Sequence, residues 1–260
     1  MLYILTIASR GELYDKLLTN YWVPFIKMIN KNYSNNVKIQ LLFGNDVDIS
    51  FLEDIKDNIM ICDTKEHIKL IFKKTVLALY SIRNVNYDYV LRSNLSSFWI
   101  MDNLIKIIDF LPKRNVYAGP NNWNMFVSGC GFILSRDVVD YVLNYMYTDG
   151  RIGPELDDVE FGRIIRRRYN ITNIEEYRGY NFNRHNPKPQ DISVSKIWYI
   201  IEQNRTPYQD DEFEKIRNII QNNNVYHIRI KTEDENDRKN DIELFKYLSN
   251  IFIDQNIVHC

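Results

Sequence analysis

An excess of either charge is missing from this 260-residue chain: 33 Lys plus Arg stand against 34 Asp plus Glu, for a net charge of −1. The chain as a whole therefore exerts no pull on nucleic acid or anionic lipid. Cysteine is scarce. Cys62, Cys130 and Cys260 are odd in number and far apart, which excludes a disulfide framework and a zinc-ligand spacing and points to reduced thiols. Long apolar runs are missing too. "LYILTIAS" near the start is too short for a signal-peptide core or a membrane span, and no basic segment precedes it. The expectation is a cytoplasmic protein with no membrane span and no nucleic acid among its partners. A glycine-rich phosphate loop is also lacking: "TIASRGELY" holds only Gly11, which argues against a nucleotidyltransferase.

What is present suits a globular domain. Apolar residues make up 45% and charged residues 26%, and the length allows a sizeable core. Aromatic residues reach 13%, with 18 Tyr and 4 Trp. Such rings suit a sugar-handling cleft, although most aromatic side chains belong to cores.

"LYILTIAS", "VKIQLLFG", "NIMICD" and "YDYVLRS" read as buried strands. Between them, "ELYDKLLTNYWVPFIKMINKNY" has helical spacing broken by Pro24. "KEHIKLIFKKTVLALYSIRN" predicts an amphipathic helix with Ile68, Ile71, Phe72, Val76, Leu79 and Tyr80 on one face. This alternation indicates an α/β fold with a parallel sheet. "NVYAGP" and the glycine-punctuated "MFVSGCGFILS" read as further strands, followed by a helix at "RDVVDYVLNYMY" and another that begins after Pro154 in "PELDDVEFGRIIRRRY". Residues 177–209 are irregular and polar, "NVYHIRIK" is a late strand, and "DIELFKYLSNIFIDQ" is a closing helix. No internal repeat or linker stands out, so the expectation is a single domain over 1–260.

Parallel sheets bind ligands beyond the carboxyl ends of their strands. The strand-end candidates are Thr6 to Arg10, Asp63, Arg92 to Ser97 and His227 to Lys231. Asp157 and Asp158 fall just before or at a helix start, where a carboxylate either caps the helix or serves as a general base. By strand alternation His227, Arg229 and Lys231 share one face, which suits a diphosphate or an exposed strand surface. "RIIRRRY" reads as a solvated helix face.

The stretch from about Asn58 to Gly162 resembles the fringe-like β-1,3-glycosyltransferases, with their galactosyl- and N-acetylglucosaminyltransferase relatives. The resemblance is carried by Lys74-Thr75, "YDYVL" at Tyr87–Leu91, "GCGFILSRD" and "LDDVEFG". It implies a GT-A (Rossmann-like) fold with a mixed central sheet, a nucleotide-binding half at 1–97 and an acceptor-binding half at 98–260. It further implies inverting transfer from a nucleotide-sugar donor, such as a UDP-sugar, to a glycan or glycoconjugate hydroxyl. Asp158 would be the catalytic base. Thr6, Ser9, Arg10, Asp63, Lys74, Arg92, Asn94, Ser96, Arg229 and Lys231 would bind the donor. Trp123, Gly129, Gly131 and Asp157 would meet the sugar or acceptor, and His227 would contribute to a metal.

The sequence departs from the family at its acidic motif, where Asn94, Leu95 and Ser96 stand. Mn²⁺ and Mg²⁺ are held mainly by carboxylates and other oxygen ligands. The cation is therefore expected to be weakly bound or dispensable. The alternative is a non-catalytic protein binding nucleotide-sugars or glycans on the same fold.

Overall fold

The structure, a computed structural model, describes residues 1–119, 121–122, 125–151, 153, 156–174, 180–183, 217–218, 220, 222, 224–231 and 239–254. Trp123 and, apart from 180–183, the irregular segment at 177–209 lie outside the described residues. In chain order the strands are β1 (Leu2–Ile7), β2 (Val37–Gly44), β3 (Ile59–Cys62), β4 (Tyr89–Asn94), β5 (Ser97–Trp99), β6 (Tyr117–Ala118), β7 (Asn121–Asn122), β8 (Phe126–Val127), β9 (Gly131–Ser135), β10 (Tyr180–Asn183) and β11 (Val225–Arg229). The α-helices are α1 (Glu12–Leu17), α2 (Val23–Asn32), α3 (Ile71–Ser81), α4 (Met101–Phe110), α5 (Arg136–Thr148), α6 (Asp157–Ile165) and α7 (Lys239–Ser249). Two compact units result, one from Met1–Leu95 with Leu111–Asn173, the other from Ser96–Phe110 with Ile174–Cys260.

The first unit is built on a mixed six-stranded sheet in the order β3-β2-β1-β4-β9-β6. β1, β2, β3 and β4 run parallel, as the alternation of strands and helices requires, with Leu2 opposite both Val37 and Tyr89. β9 and β6 are antiparallel additions. This α/β arrangement is compatible with a Rossmann-like fold. Both faces of β1 are buried, which is why "LYILTI" shows no polar alternation. Tyr3, Leu5 and Ile7 join Phe72, Leu79, Val138, Phe161 and Ile164 in one core on the side of α3, α5 and α6.

Helix α6, which carries the two aspartates, is held by its aromatic and its glycine. Phe161 lies 4.8 Å from the Phe72 ring and 5.1 Å from the Phe132 ring, so its burial fixes the helix against α3 and β9. A Cβ on Gly162 would sit 2.5 Å from Phe126 Cβ. Glycine there permits the close approach of α6 to β8.

Two local expectations need correction. Pro24 does not break the first helical segment: a π-helical turn over Leu18–Trp22 precedes α2, with Pro24 in its first turn. The wider turn accommodates the missing N–H and the bulk of the ring. The buried face of α3 is also rotated from the expected one. Lys74 and Thr75 are buried, whereas Tyr80 is exposed and Ile68 lies in a preceding 3₁₀ turn. Lys74 turns inward because an ion-pair partner waits there.

In the second unit β5, β11 and β10 form a three-stranded sheet, with β11 antiparallel to β5 and parallel to β10. Phe98 packs toward Phe245 of α7, and Asn103 of α4 donates to the Val225 carbonyl at 2.9 Å. Cys62 and Cys130 are buried, while Cys260 lies outside the described residues. Among the described residues no helix is long and apolar enough to cross a membrane.

Candidate functional site

The first unit's strand order places β2 and β3 to one side of β1 and β4 to the other. This reversal is where an open α/β sheet leaves a crevice beyond its strand ends. Two clusters of polar side chains lie at these strand ends.

The first cluster surrounds the turn between β8 and β9. Arg92, on β4 opposite Phe132 of β9, is 3% exposed and pairs through Nη2 with Asp157. Its Nη1 donates to the Gly129 carbonyl, which also accepts from Asn94 Nδ2 at 3.2 Å. On the other side of the same residue, the Gly129 N–H donates to Asp158 Oδ2 at 2.9 Å. Asp158 Oδ1 accepts from the Val159 N–H at 3.0 Å. Gly129 is thus held by three side chains, and a Cβ there would lie 2.9 Å from Arg92 Nη1 and 3.4 Å from Asp158 Cβ. Five residues that the resemblance assigned to donor, acceptor and catalysis, Arg92, Asn94, Gly129, Asp157 and Asp158, lie together here, and β9 starts at Gly131.

The two aspartates differ in their surroundings. Burial pushes the Asp157 carboxyl above the usual carboxylate range, the neighbouring Asp158 adds to that push, and Arg92 opposes it. Asp158 takes one hydrogen bond from the Gly129 N–H of the β8–β9 turn and one from the Val159 N–H at the start of α6, where the helix dipole favours negative charge. Leu156 precedes the helix without a side-chain cap, so part of Asp158's work is to satisfy helix-start donors.

The second cluster lies where β1, β2 and β3 end, and its centre is Glu66, which the sequence did not single out. Lys74 Nζ reaches Glu66 Oε1 at 2.5 Å and the Ala8 carbonyl at 3.3 Å. Ser9 Oγ donates to Oε1 at 3.1 Å, and the Gly44 N–H donates to Oε2 at 2.8 Å. Arg10 turns away to Asp15, with Nε–Oδ1 at 2.7 Å and Nη2–Oδ2 at 3.1 Å, and also donates to the Asp48 carbonyl. Asp63 is exposed and accepts from Asn45 Nδ2 at 2.9 Å. Burial raises the Cys62 thiol to about 11, so it stays protonated.

Thr6 does not join Arg92. It pairs in register with Ser93, while Leu5 pairs with Arg92, so alternation puts Thr6 and Arg92 on opposite faces of the sheet. Its buried hydroxyl has no partner among the described residues.

The remaining candidates belong to the second unit. The Ser96 carbonyl accepts from the Ile230 N–H at 2.9 Å. His227 is fully buried, 4.4 Å from the Trp99 ring, and neither ring nitrogen has a partner among the described residues. Burial, with Arg229 adding to it, lowers His227 to about 3, so the ring is neutral. The face expected to be shared with Arg229 and Lys231 holds for Arg229 alone. β11 ends at Arg229, and Lys231 lies exposed beyond the strand.

A divalent cation does not fit the residues at the end of β4. Asn94 is a neutral amide bound to the Gly129 carbonyl, and Leu95 is a buried side chain with no ligating atom. Among the described residues no group of three or more His, Cys, Asp and Glu is placed to hold a metal ion. No protein-family model matches the chain, and no curated protein matches its sequence.

Proposed function

We propose that this protein is a GT-A-type glycosyltransferase that moves a sugar, with inversion, from a nucleotide-sugar to a hydroxyl of a glycan or other acceptor. The observation that carries the reading is the position of Asp158. It stands at the start of α6, joined to the β8–β9 turn beside the end of β4, and its carboxylate is hydrogen-bonded by backbone N–H groups. Its neighbour Asp157 is instead tied to Arg92.

Asp158 accepts the proton of the acceptor hydroxyl as that oxygen bonds to the anomeric carbon. The bond from this carbon to the diphosphate oxygen breaks on the opposite face, and its electron pair leaves with the nucleoside diphosphate. The chain's own residues contribute orientation and proton transfer. No step is routed through a metal, because the donor set does not fit one.

One observation favours a second reading, a non-catalytic protein that binds nucleotide-sugars or glycans. Each cation of the first unit that the resemblance assigned to donor binding is already neutralised: Arg10 by Asp15, Lys74 by Glu66 and Arg92 by Asp157. The deciding experiment incubates the full chain with a panel of nucleotide-sugars and glycan acceptors, in Mn²⁺ and in EDTA. Release of nucleoside diphosphate in both buffers, abolished by Asp158→Asn, supports the transferase. Donor or glycan binding with neither hydrolysis nor transfer supports the second reading.

A further inference from the structure

We infer that Arg92 and Asp157 are a buried positioning pair, which fixes Gly129 and through it the Asp158 carboxylate without touching the donor. The catalytic consequence rests on the proposed function; the positioning itself does not.

An arginine inside a buried strand has to find a counter-charge or remain an uncompensated cation. Arg92 finds one in Asp157, on a helix 65 residues later in the chain. The pair joins the middle of the sheet to the first turn of α6. The second guanidinium arm and the Asn94 amide both end on the Gly129 carbonyl, so the carbonyl is gripped from the β4 side. The Gly129 N–H is thereby presented to Asp158 Oδ2. Nε, the remaining polar atom of the guanidinium, is buried and has no partner among the described residues. The Phe132 ring centroid lies 5.6 Å from the guanidinium carbon. At 3% exposure Arg92 presents almost no surface to a diphosphate. Its place in the sequence, two residues before the Asn94 position, suggests a donor contact; its geometry gives it a different task.

The pair and the donor-contact alternative part company in two measurements on the full, isotope-labelled chain. The first follows Gly129 amide hydrogen exchange and the Asp158 side-chain carboxyl signal in wild type, Arg92→Lys and Asp157→Asn. A lysine keeps the charge but lacks the fork that reaches Asp157 and the Gly129 carbonyl together, and an asparagine keeps an acceptor but loses the charge; urea unfolding of each variant first establishes that it is folded. Gly129 exchange should accelerate about tenfold or more in each, as local opening becomes easier, and the Asp158 signal should shift. The second measurement titrates UDP and UDP-glucose. Their affinity should stay within about threefold of wild type in both variants. In the transfer assay kcat should fall while the KM for donor is kept.

An unchanged Gly129 amide in both variants overturns the inference, as does a loss of UDP affinity of tenfold or more in Arg92→Lys with Gly129 exchange unaltered. If wild type binds no nucleotide and transfers no sugar, the proposed function fails. The Gly129 and Asp158 signals then still decide whether the pair positions them.

Discussion

Glu66 holds the ammonium group of Lys74 at 2.5 Å, and Lys74 is completely buried. The same carboxylate binds Ser9 and the Gly44 N–H, so one side chain ties together the ends of β1 and β2 and the start of α3. Removing it leaves a buried cation whose remaining partner is the Ala8 carbonyl. Glu66→Ala should therefore destabilise the fold by about 3–5 kcal/mol. The double change Glu66→Gln with Lys74→Met, which removes both charges, should recover most of that loss. Urea unfolding of wild type, Glu66→Gln, Lys74→Met and the double variant measures the coupling, with Glu66→Ala unfolded alongside. A Glu66→Ala variant as stable as wild type would show that the pair contributes nothing.

The aspartates of α6 should separate in function. Asp158→Asn replaces the proposed base by an amide that cannot take a proton, and should lower transfer by about 10² to 10⁴ while donor affinity is kept. Asp158→Asn at full rate would leave the carboxylate with only its backbone hydrogen bonds as a role.

Gly129→Ala places a methyl group against Arg92 Nη1 at 2.9 Å and beside Asp158. Neither neighbour is free to retreat, because Arg92 is tied to Asp157 and Asp158 to the backbone of α6. The expected cost is about 1–3 kcal/mol of stability, together with lower transfer because Asp158 is displaced. Thermal unfolding and the transfer assay on the same preparation test both effects. A stable, fully active alanine variant would mean that the turn relaxes without consequence.

The parallel strands were legible because β1 is buried on both faces and reads as an unbroken apolar run, and because β2, β3 and β4 are apolar over most of their length although Lys38 and Ile61 are exposed. A helix over "DDVEFG" was legible from its start signals, Pro154 and the two carboxylates, though its first residue, Asp157, was not. Arg92 was singled out as a strand-end donor contact, but its burial and its partner were not legible, since Asp157 is brought to it by the packing of Phe161 and Gly162. Glu66 carried no local signal: within "TKEHIK" it reads as one more surface charge, and its partners at Ser9, Gly44 and Lys74 come from three other segments. His227 was read on a face that was either exposed or open to a ligand. Alternation shows which residues share a face but not which face packs, and the cover comes from Trp99, on a strand more than a hundred residues earlier.

That burial makes His227 a source of acid sensitivity. In the unfolded chain its imidazole takes up a proton below about pH 6.5. In the fold, desolvation first and the Arg229 charge second hold it neutral down to about 3. The folded state thus binds fewer protons than the unfolded state between these values, so stability falls as pH falls through that window. Above pH 6.5 both states are neutral at this group, and its effect vanishes. At about 1.4 kcal/mol per pH unit, going from pH 7 to pH 5 should remove on the order of 2 kcal/mol through His227 alone. His227→Phe keeps a ring against Trp99 and cannot titrate. With neither ring nitrogen hydrogen-bonded among the described residues, the apolar ring should be tolerated at pH 7 to within about 1.5 kcal/mol. Urea titrations of wild type and variant at pH 7 and pH 5 isolate the group, because all other carboxylates and histidines are common to both proteins. The variant should lose less stability on acidification, by roughly the amount above. Equal losses in the two proteins would mean that His227 is protonated in the fold at pH 5, and that the pocket around Trp99 admits water or a counter-charge.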